Sequence, residues 1–279
     1  MPSIIGQKKI IDRLKTYTLK TAPKTILFLG QHGCGKSLIA NHFAEQLQID
    51  PVYIDLNDTG GTVDSLRDDL SNFFKSPIEK LYLIDLTGAS IQAQTILLKY
   101  IEEPSSNMYF VLMAESEINI LPTILNRCIK FIFETYTVEQ LKKLDWAISD
   151  LDLDKNLVYS ICKTPGQLLE LNDVKNIKDL HSLCENIVTK AYLAPYENII
   201  KISTKINYSS DYDKFDFDLF FKILTYTTFE EFKQNNTEFS FKLYNYIIQQ
   251  QSKCAVITKP VLKEHFMLNF LDSLWRLAH

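Results

Sequence analysis

The run GQHGCGKS, residues 30–37, sets Gly30, Gly33, Gly35, Lys36 and Ser37 at the spacing GxxxxGK[ST]. Glycines let backbone N–H groups curl around phosphate oxygens, because no Cβ blocks the approach. Lys36 is placed to neutralise charge on β- and γ-phosphates, and Ser37 to offer its hydroxyl to Mg²⁺. A helix opening near Lys36 adds the positive end of its dipole. This predicts a bound nucleotide, ATP or ADP, and is silent on hydrolysis. A second stretch, LYLIDL at 81–86, ends an apolar run in Asp85, as the magnesium-binding strand of a nucleotide hydrolase does. Ser37 and Asp85 are therefore the expected Mg²⁺ pair. The residue after Asp85, where such enzymes usually carry glutamate, is Leu86. A leucine cannot accept a proton from water, and a positioned general base typically contributes about 10²–10⁴-fold in rate.

Positioning these groups requires strands ending at the loop and at Asp85. Five short apolar runs read as strands: TILFLG (25–30), VYIDL (52–56), LYLID (81–85), MYFVLMA (108–114) and IKFIF (129–133). They are apolar on both faces, as strands buried beneath helices are. Between them Ala40, Phe43, Ala44 and Leu47 fall at i, i+3, i+4, i+7, and Ala93, Leu97, Tyr100 and Ile101 make a similar stripe before Pro104. This alternation predicts a parallel sheet wrapped by helices. After residue 134 the strands fade. Leu141, Leu144, Ile148 and Leu151 mark a helix, TPGQLLEL (164–171) begins another, and NDVKNIKD (172–179) reads as a linker. Residues 180–279 look helical and aromatic-rich, with Met267, Phe270, Leu271 and Leu274 in a stripe near Trp275 that suits a helical core or assembly surface.

The 279 residues carry a net charge of −4, with 46% hydrophobic and 23% charged residues. That is the composition of a soluble globular chain with room for two or three domains. No field of positive charge advertises a lone nucleic-acid binder. Lys75, Lys80 and Arg67 read as solvated rather than DNA-facing. The five cysteines, Cys34, Cys128, Cys162, Cys184 and Cys254, form no CxxC pair, which argues against disulfides and zinc and for a reducing cytoplasm. Cys34 reads as a small residue in a tight loop rather than a redox centre. No secretory signal and no membrane-spanning run is found, so the expectation is cytoplasmic, with no membrane partner.

From Ile78 onward the sequence LYLIDLTGASIQAQTILLKYIEEP, the strand MYFVLMA and the triplet Asn126-Arg127-Cys128 resemble the clamp-loader branch of the AAA+ ATPases. That branch holds the bacterial DNA polymerase III gamma and delta-prime subunits and the replication factor C small subunits. The early IIGQKKIIDRL (4–14) is similar to the family's V-G-Q segment, which implies that Ile5, Gly6 and Gln7 lie against the adenine. The resemblance covers residues 4–133, with TPGQLLEL a weaker echo of the lid motif. It implies an α/β AAA+ core with a five-stranded parallel sheet over 1–135, a helical lid over 136–177 and an all-α collar domain over 178–279. It further implies ATP or ADP with Mg²⁺, a pentameric hetero-oligomer of AAA+ subunits, a sliding clamp, and primer-template DNA reached through the complex.

Against the family pattern the site has three departures. Leu86 replaces the carboxylate after Asp85, Ala114 and Glu115 stand where the sensor strand carries asparagine or threonine, and Gln167 replaces the lid arginine. Arg127 survives, and in relatives it is a finger that reaches the neighbouring subunit's ATP. A dead own site beside a live finger is what delta-prime looks like. The four-cysteine zinc module of many bacterial relatives is absent, which fits a bacteriophage or divergent low-GC bacterial version. The rivals are a gamma-like ATPase with Asp64 or Glu117 as base, and a helicase loader or recombination protein on the same core.

Overall fold

In the computed structural model, the described residues are 4–56, 71, 78–149, 151, 153–174, 177–191, 216–254, 266, 269–274 and 276. Asp64, Arg67, Lys75, Met267 and Trp275 lie outside them. Five strands, β1 (Thr25–Leu29), β2 (Pro51–Asp55), β3 (Lys80–Asp85), β4 (Met108–Ala114) and β5 (Ile129–Ile132), form one sheet in the order β2-β3-β4-β1-β5. Every pairing is parallel. The expected strands are all present, their ends shifted by at most one residue.

Side chains alternate across a strand with period two, so each strand here divides between two cores. Ile26 and Phe28, Leu81 and Leu83, and Tyr109, Val111 and Met113 face one side, where α1 (Lys8–Lys15) and α2 (Lys36–Leu47) cover them with Ile10, Leu14, Ile39, Ala40, Phe43 and Leu47. Leu27 and Leu29, Tyr82 and Ile84, and Phe110, Leu112 and Ala114 face the other. There α3 (Ile91–Glu102) contributes Ala93, Leu97, Tyr100 and Ile101, and the short α4 (Pro122–Leu125) contributes Ile124. Both amphipathic stripes expected in this region are thus buried as read.

Beyond β5 the chain departs from the expected single helix over 141–151. A short α5 (Val138–Leu141), opened by a Thr137–Gln140 capping box, passes into a 3₁₀ segment (Lys142–Ile148) with Leu144 at φ −104°, ψ 16°. The buried Leu141, Leu144 and Ala147 are spaced by three, which suits the three-residue turn of a 3₁₀ helix, and the chain kinks at Leu144. Next come α6 (Lys155–Ile161), α7 (Pro165–Leu171), α8 (Ile177–Ala191), α9 (Phe217–Asn235) and α10 (Glu238–Cys254). The chain gathers into two units, one of Met1–Ile148 with Lys163–Glu170, the other of Ser149–Cys162 with Leu171–His279. The second is centred on aromatics: Phe220, Phe221 and Phe270 are buried, with Phe221 edge-on to Phe220 at 5.2 Å and to Phe270 at 5.3 Å. Among the described residues no helix is long and apolar enough to cross a membrane.

One buried amide positions the segment that follows β4. Gln94, 1% exposed, donates from Nε2 to the carbonyls of Asn119 (2.8 Å) and Ala89 (3.2 Å), and its Oε1 accepts the Leu121 N–H at 2.9 Å. These bonds tie the 115–121 loop to the start of α3 and so set where α4 begins. Gln94→Met keeps the volume and removes all three. Leaving buried backbone groups unpaired should cost about 2–3 kcal/mol, read as a lower urea midpoint at unchanged m-value. A midpoint equal to wild type would show that water replaces the amide.

Candidate functional site

The phosphate-loop motif lies where β1 hands over to α2, at the C-terminal edge of the sheet. Gly33 (φ +73°) and Gly35 (φ +94°) occupy left-handed backbone that side-chain-bearing residues rarely adopt. Gly35 is the N-cap of α2 and supplies no side-chain cap, so the first-turn N–H groups, which have no intrahelical partner, are open to an anion. Lys36 is 9% exposed, and its Nζ donates to the carbonyls of Gly30 (2.5 Å) and Gln31 (3.1 Å). Its third N–H remains for a phosphate oxygen. Positive charge, open amides and a curled backbone fit a nucleoside di- or triphosphate, and Gly30, Gly33, Gly35, Lys36 and Ser37 are the residues that would hold it.

The loop is also held from outside. Thr164 donates its hydroxyl to the His32 carbonyl at 2.8 Å, and the Gly166 N–H donates to the Gly33 carbonyl at 2.9 Å. A Cβ built on Gly166 would lie 2.4 Å from the Gly33 Cα, so the first turn of α7 rests directly on the loop. His32 Nε2 and Glu170 Oε1 are 2.8 Å apart. The Tyr136 hydroxyl donates to the Cys34 carbonyl at 2.8 Å, and burial raises its pKa above that of an ordinary tyrosine. Sequence reasoning missed Thr164, Gly166 and Tyr136 as loop partners. The polar and small residues of ETYT and KTPG were the available signal, but their partner lies more than 100 residues away. Cys34 is 3% exposed, and burial raises its thiol pKa, partly offset by the Lys36 charge and reinforced by Glu115. It is a protonated packing residue at neutral pH.

The hydrolytic edge is different in character. The alternation that puts Asp85 on the α2 face puts Leu86 on the α3 face, where it is 2% exposed against Ile84, Ala93 and Leu97. Its N–H donates to the Met113 carbonyl at 2.8 Å. Asp85 Oδ1 accepts the Thr87 N–H at 2.8 Å. Ser37 donates its hydroxyl to the Met113 sulfur at 3.6 Å. Ala114 closes β4, its carbonyl accepting the Gly30 N–H at 3.1 Å, and Glu115 beyond it is exposed. Gln167 reaches back past the start of α7, its Oε1 accepting the Lys163 N–H at 2.9 Å. Glu117 is ion-paired with Lys130 at 2.8 Å.

In the N-terminal segment, Gln7 is 6% exposed, and its amide reads both backbone groups of Glu134, donating at 2.7 Å and accepting at 2.9 Å. Gln7 therefore anchors α1 to the end of β5. The Gly6 backbone (φ +74°) runs beneath the Tyr136 ring, which a Cβ there would meet at 2.8 Å. Ile5 is half-buried beside it.

Arg127 stands apart from all of these. It precedes β5, whose Ile129 pairs with Ile26 near the start of β1, whereas the phosphate loop follows the end of β1. At about 3.3 Å per residue, roughly 15 Å of sheet separates them. The guanidinium is half-exposed, held by Glu102 (Nη2 to Oε1, 2.8 Å) and by the Thr123 carbonyl (Nη1 to O, 2.9 Å). The neighbouring Cys128 thiol is pushed up to about 12 by burial.

Residues 48–137 match a family described as DNA polymerase III, delta subunit. The replication factor C small subunit of Methanosphaera stadtmanae is 25% identical over 222 residues, covering 74% of this chain and 66% of that protein. The replication factor C small subunit of Methanococcus maripaludis is 27% identical over 151 residues, covering 50% and 48%. The chain thus spans about half to two thirds of the length of these curated relatives. A DNA polymerase III gamma subunit-related protein from Thermotoga maritima superposes with a TM-score of 0.53 at 13% identity, covering 96% of this chain and 99% of that one, which shows a shared fold. The chain is thus similar through β3, α3 and β4 to a DNA polymerase III subunit family and over half its length or more to replication factor C small subunits, and it shares the fold of the gamma subunit-related protein.

Proposed function

We propose that this chain is a clamp-loader subunit of DNA replication of the delta-prime kind, which holds ATP or ADP, hydrolyses it slowly if at all, and donates Arg127 to a neighbour's nucleotide. The observation that carries this is the split within one site. The phosphate cradle is complete, while the residue after Asp85 is a leucine turned into the core. Nothing at that position can orient or deprotonate an attacking water, and Glu115, which follows the Ala114 whose carbonyl bonds Gly30, adds negative charge where a neutral sensor would serve hydrolysis. Gln167, its amide oxygen bonded to the Lys163 N–H, puts a neutral side chain where the lid arginine of the family pattern stands. A gamma-like reading with Glu117 as base is disfavoured by its ion pair with Lys130.

Arg127 cannot serve its own loop across the sheet, so any catalytic work it does is done on a neighbouring molecule. A finger supplied in trans neutralises transition-state charge and contributes about 10³–10⁵ in rate. The partners on this reading are other AAA+ clamp-loader subunits in a pentamer, a sliding clamp, and primer-template DNA contacted through the assembly in the cytoplasm.

Lys36→Ala should weaken ADP binding to the purified chain by at least about tenfold, ~1.4 kcal/mol, by calorimetry. Steady phosphate release by the wild-type chain alone, lost in Lys36→Ala, would instead favour the ATPase reading. Arg127→Ala should leave the assembly intact on gel filtration yet slow hydrolysis at the adjacent site about 10³-fold or more, seen as depressed DNA-stimulated turnover of the complex. Turnover equal to wild type removes the finger.

A further inference from the structure

Tyr136 touches two segments that are far apart in sequence. Its hydroxyl donates to the Cys34 carbonyl at 2.8 Å, and it lies 3.9 Å from where a Cβ on Gly35, the N-cap of α2, would stand. Its ring rests on Gly6, where an added Cβ would lie 2.8 Å from Cε1 and 3.3 Å from Cδ1. One side chain thus bridges the phosphate loop and the Ile5–Gly6 segment that the family resemblance sets against a base.

The backbone around Tyr136 is fixed on both sides. Before it, the Phe133 N–H donates to the Leu29 carbonyl at 2.7 Å, and the Gln7 amide holds both backbone groups of Glu134. After it, Thr137 opens α5 with a capping box. Burial raises the Tyr136 pKa, so the hydroxyl stays protonated and donating at neutral pH. A tyrosine has few χ angles to order, so the bridge is stiff.

A nucleotide spans a fixed length from base to phosphates. It gains from both segments only when their separation matches that length, because the second contact then needs no further ordering. A side chain that holds the two segments in register therefore acts on the whole nucleotide. The loop's hold on phosphate alone depends on it far less, since the bonds from Lys36, Thr164 and Gly166 to the other loop carbonyls remain without it.

We infer that Tyr136 is a positioning residue of the nucleotide site, setting Ile5–Gly6 at the distance from the phosphate loop that one nucleoside diphosphate spans. The inference rests on the nucleotide reading of the loop and extends it to the base.

The test compares the affinity of the full chain for ADP and for pyrophosphate by calorimetry. Wild type should bind ADP at least about tenfold tighter than pyrophosphate. Tyr136→Leu, which removes ring and hydroxyl, should weaken ADP about tenfold and pyrophosphate less than about threefold. Tyr136→Phe keeps the ring on Gly6 and loses the bond to Cys34, and should weaken ADP about threefold with pyrophosphate unchanged. Equal losses for the two ligands make Tyr136 a brace of the loop alone and overturn the inference, as does an ADP affinity that neither variant changes. Wild type that binds ADP no tighter than pyrophosphate also overturns it, while leaving the phosphate reading in place. Wild type that binds neither overturns the nucleotide reading and this inference with it. Should circular dichroism show Tyr136→Leu unfolded, the same comparison in Tyr136→Phe decides.

Discussion

The ladder of hydrogen bonds joining β3, β4 and β1 fixes what meets at the nucleotide edge. Parallel register opposes Asp85 with Met113 and Ala114 with Leu29, and the two-residue alternation then assigns each side chain to a face. Shifting β3 by one residue would exchange Asp85 and Leu86 between the two cores, burying a carboxylate against Leu97 and exposing a leucine at the loop. The aromatic stack of Tyr82 on Phe110, with ring centroids 5.3 Å apart, sits on the α3 face and opposes that slip. The chemistry available at the edge is therefore a consequence of core packing several residues away.

The same edge explains why the cradle persists without hydrolytic groups. Five successive carbonyls of the loop are bonded: Gly30 and Gln31 by Lys36, His32 by Thr164, Gly33 by the Gly166 N–H, and Cys34 by Tyr136. With these carbonyls bonded, the loop's conformation is fixed before any ligand arrives, and such pre-organisation reduces the ordering cost of binding. These bonds belong to the fold's own stability as much as to any ligand. A subunit relieved of hydrolysis would keep them, whereas a glutamate after Asp85 serves only the reaction.

Much of this was legible in the sequence because it rests on local pattern. The glycine spacing of 30–37 announces a positive-φ loop, the five apolar runs announce buried strands, and the i, i+3, i+4 stripes announce α2 and α3. Leu86 was informative because its neighbour Asp85 marks where a carboxylate would stand. What escaped were contacts between residues distant in sequence. Met113 reads as one more apolar strand residue, and nothing in MYFVLMA tells that its sulfur meets Ser37, 76 positions earlier. Gln7, assigned to the adenine by resemblance, engages the Glu134 backbone 127 residues on. The helix expected over 141–151 is instead a short α5 that passes into a 3₁₀ segment kinked at Leu144, because apolar spacings of three and four differ by a single residue.

Arg127 illustrates how a weak interaction can serve a strong one. Its partner Glu102 is half-exposed, and an ion pair in that setting contributes about 0–1 kcal/mol. Such a pair aims the guanidinium without trapping it. The Thr123 carbonyl adds a second direction, leaving further N–H donors of the five-donor fork available. A phosphate offers this fork a bidentate, charge-assisted contact about twice as strong as a neutral hydrogen bond. On the proposed reading, giving up the half-exposed Glu102 for a neighbour's phosphate costs little, and the carboxylate holds the guanidinium until that phosphate arrives. A buried, fully satisfied partner would have held the side chain too firmly to be given up, and placing Glu102 at the solvent-facing end of α3 avoids that.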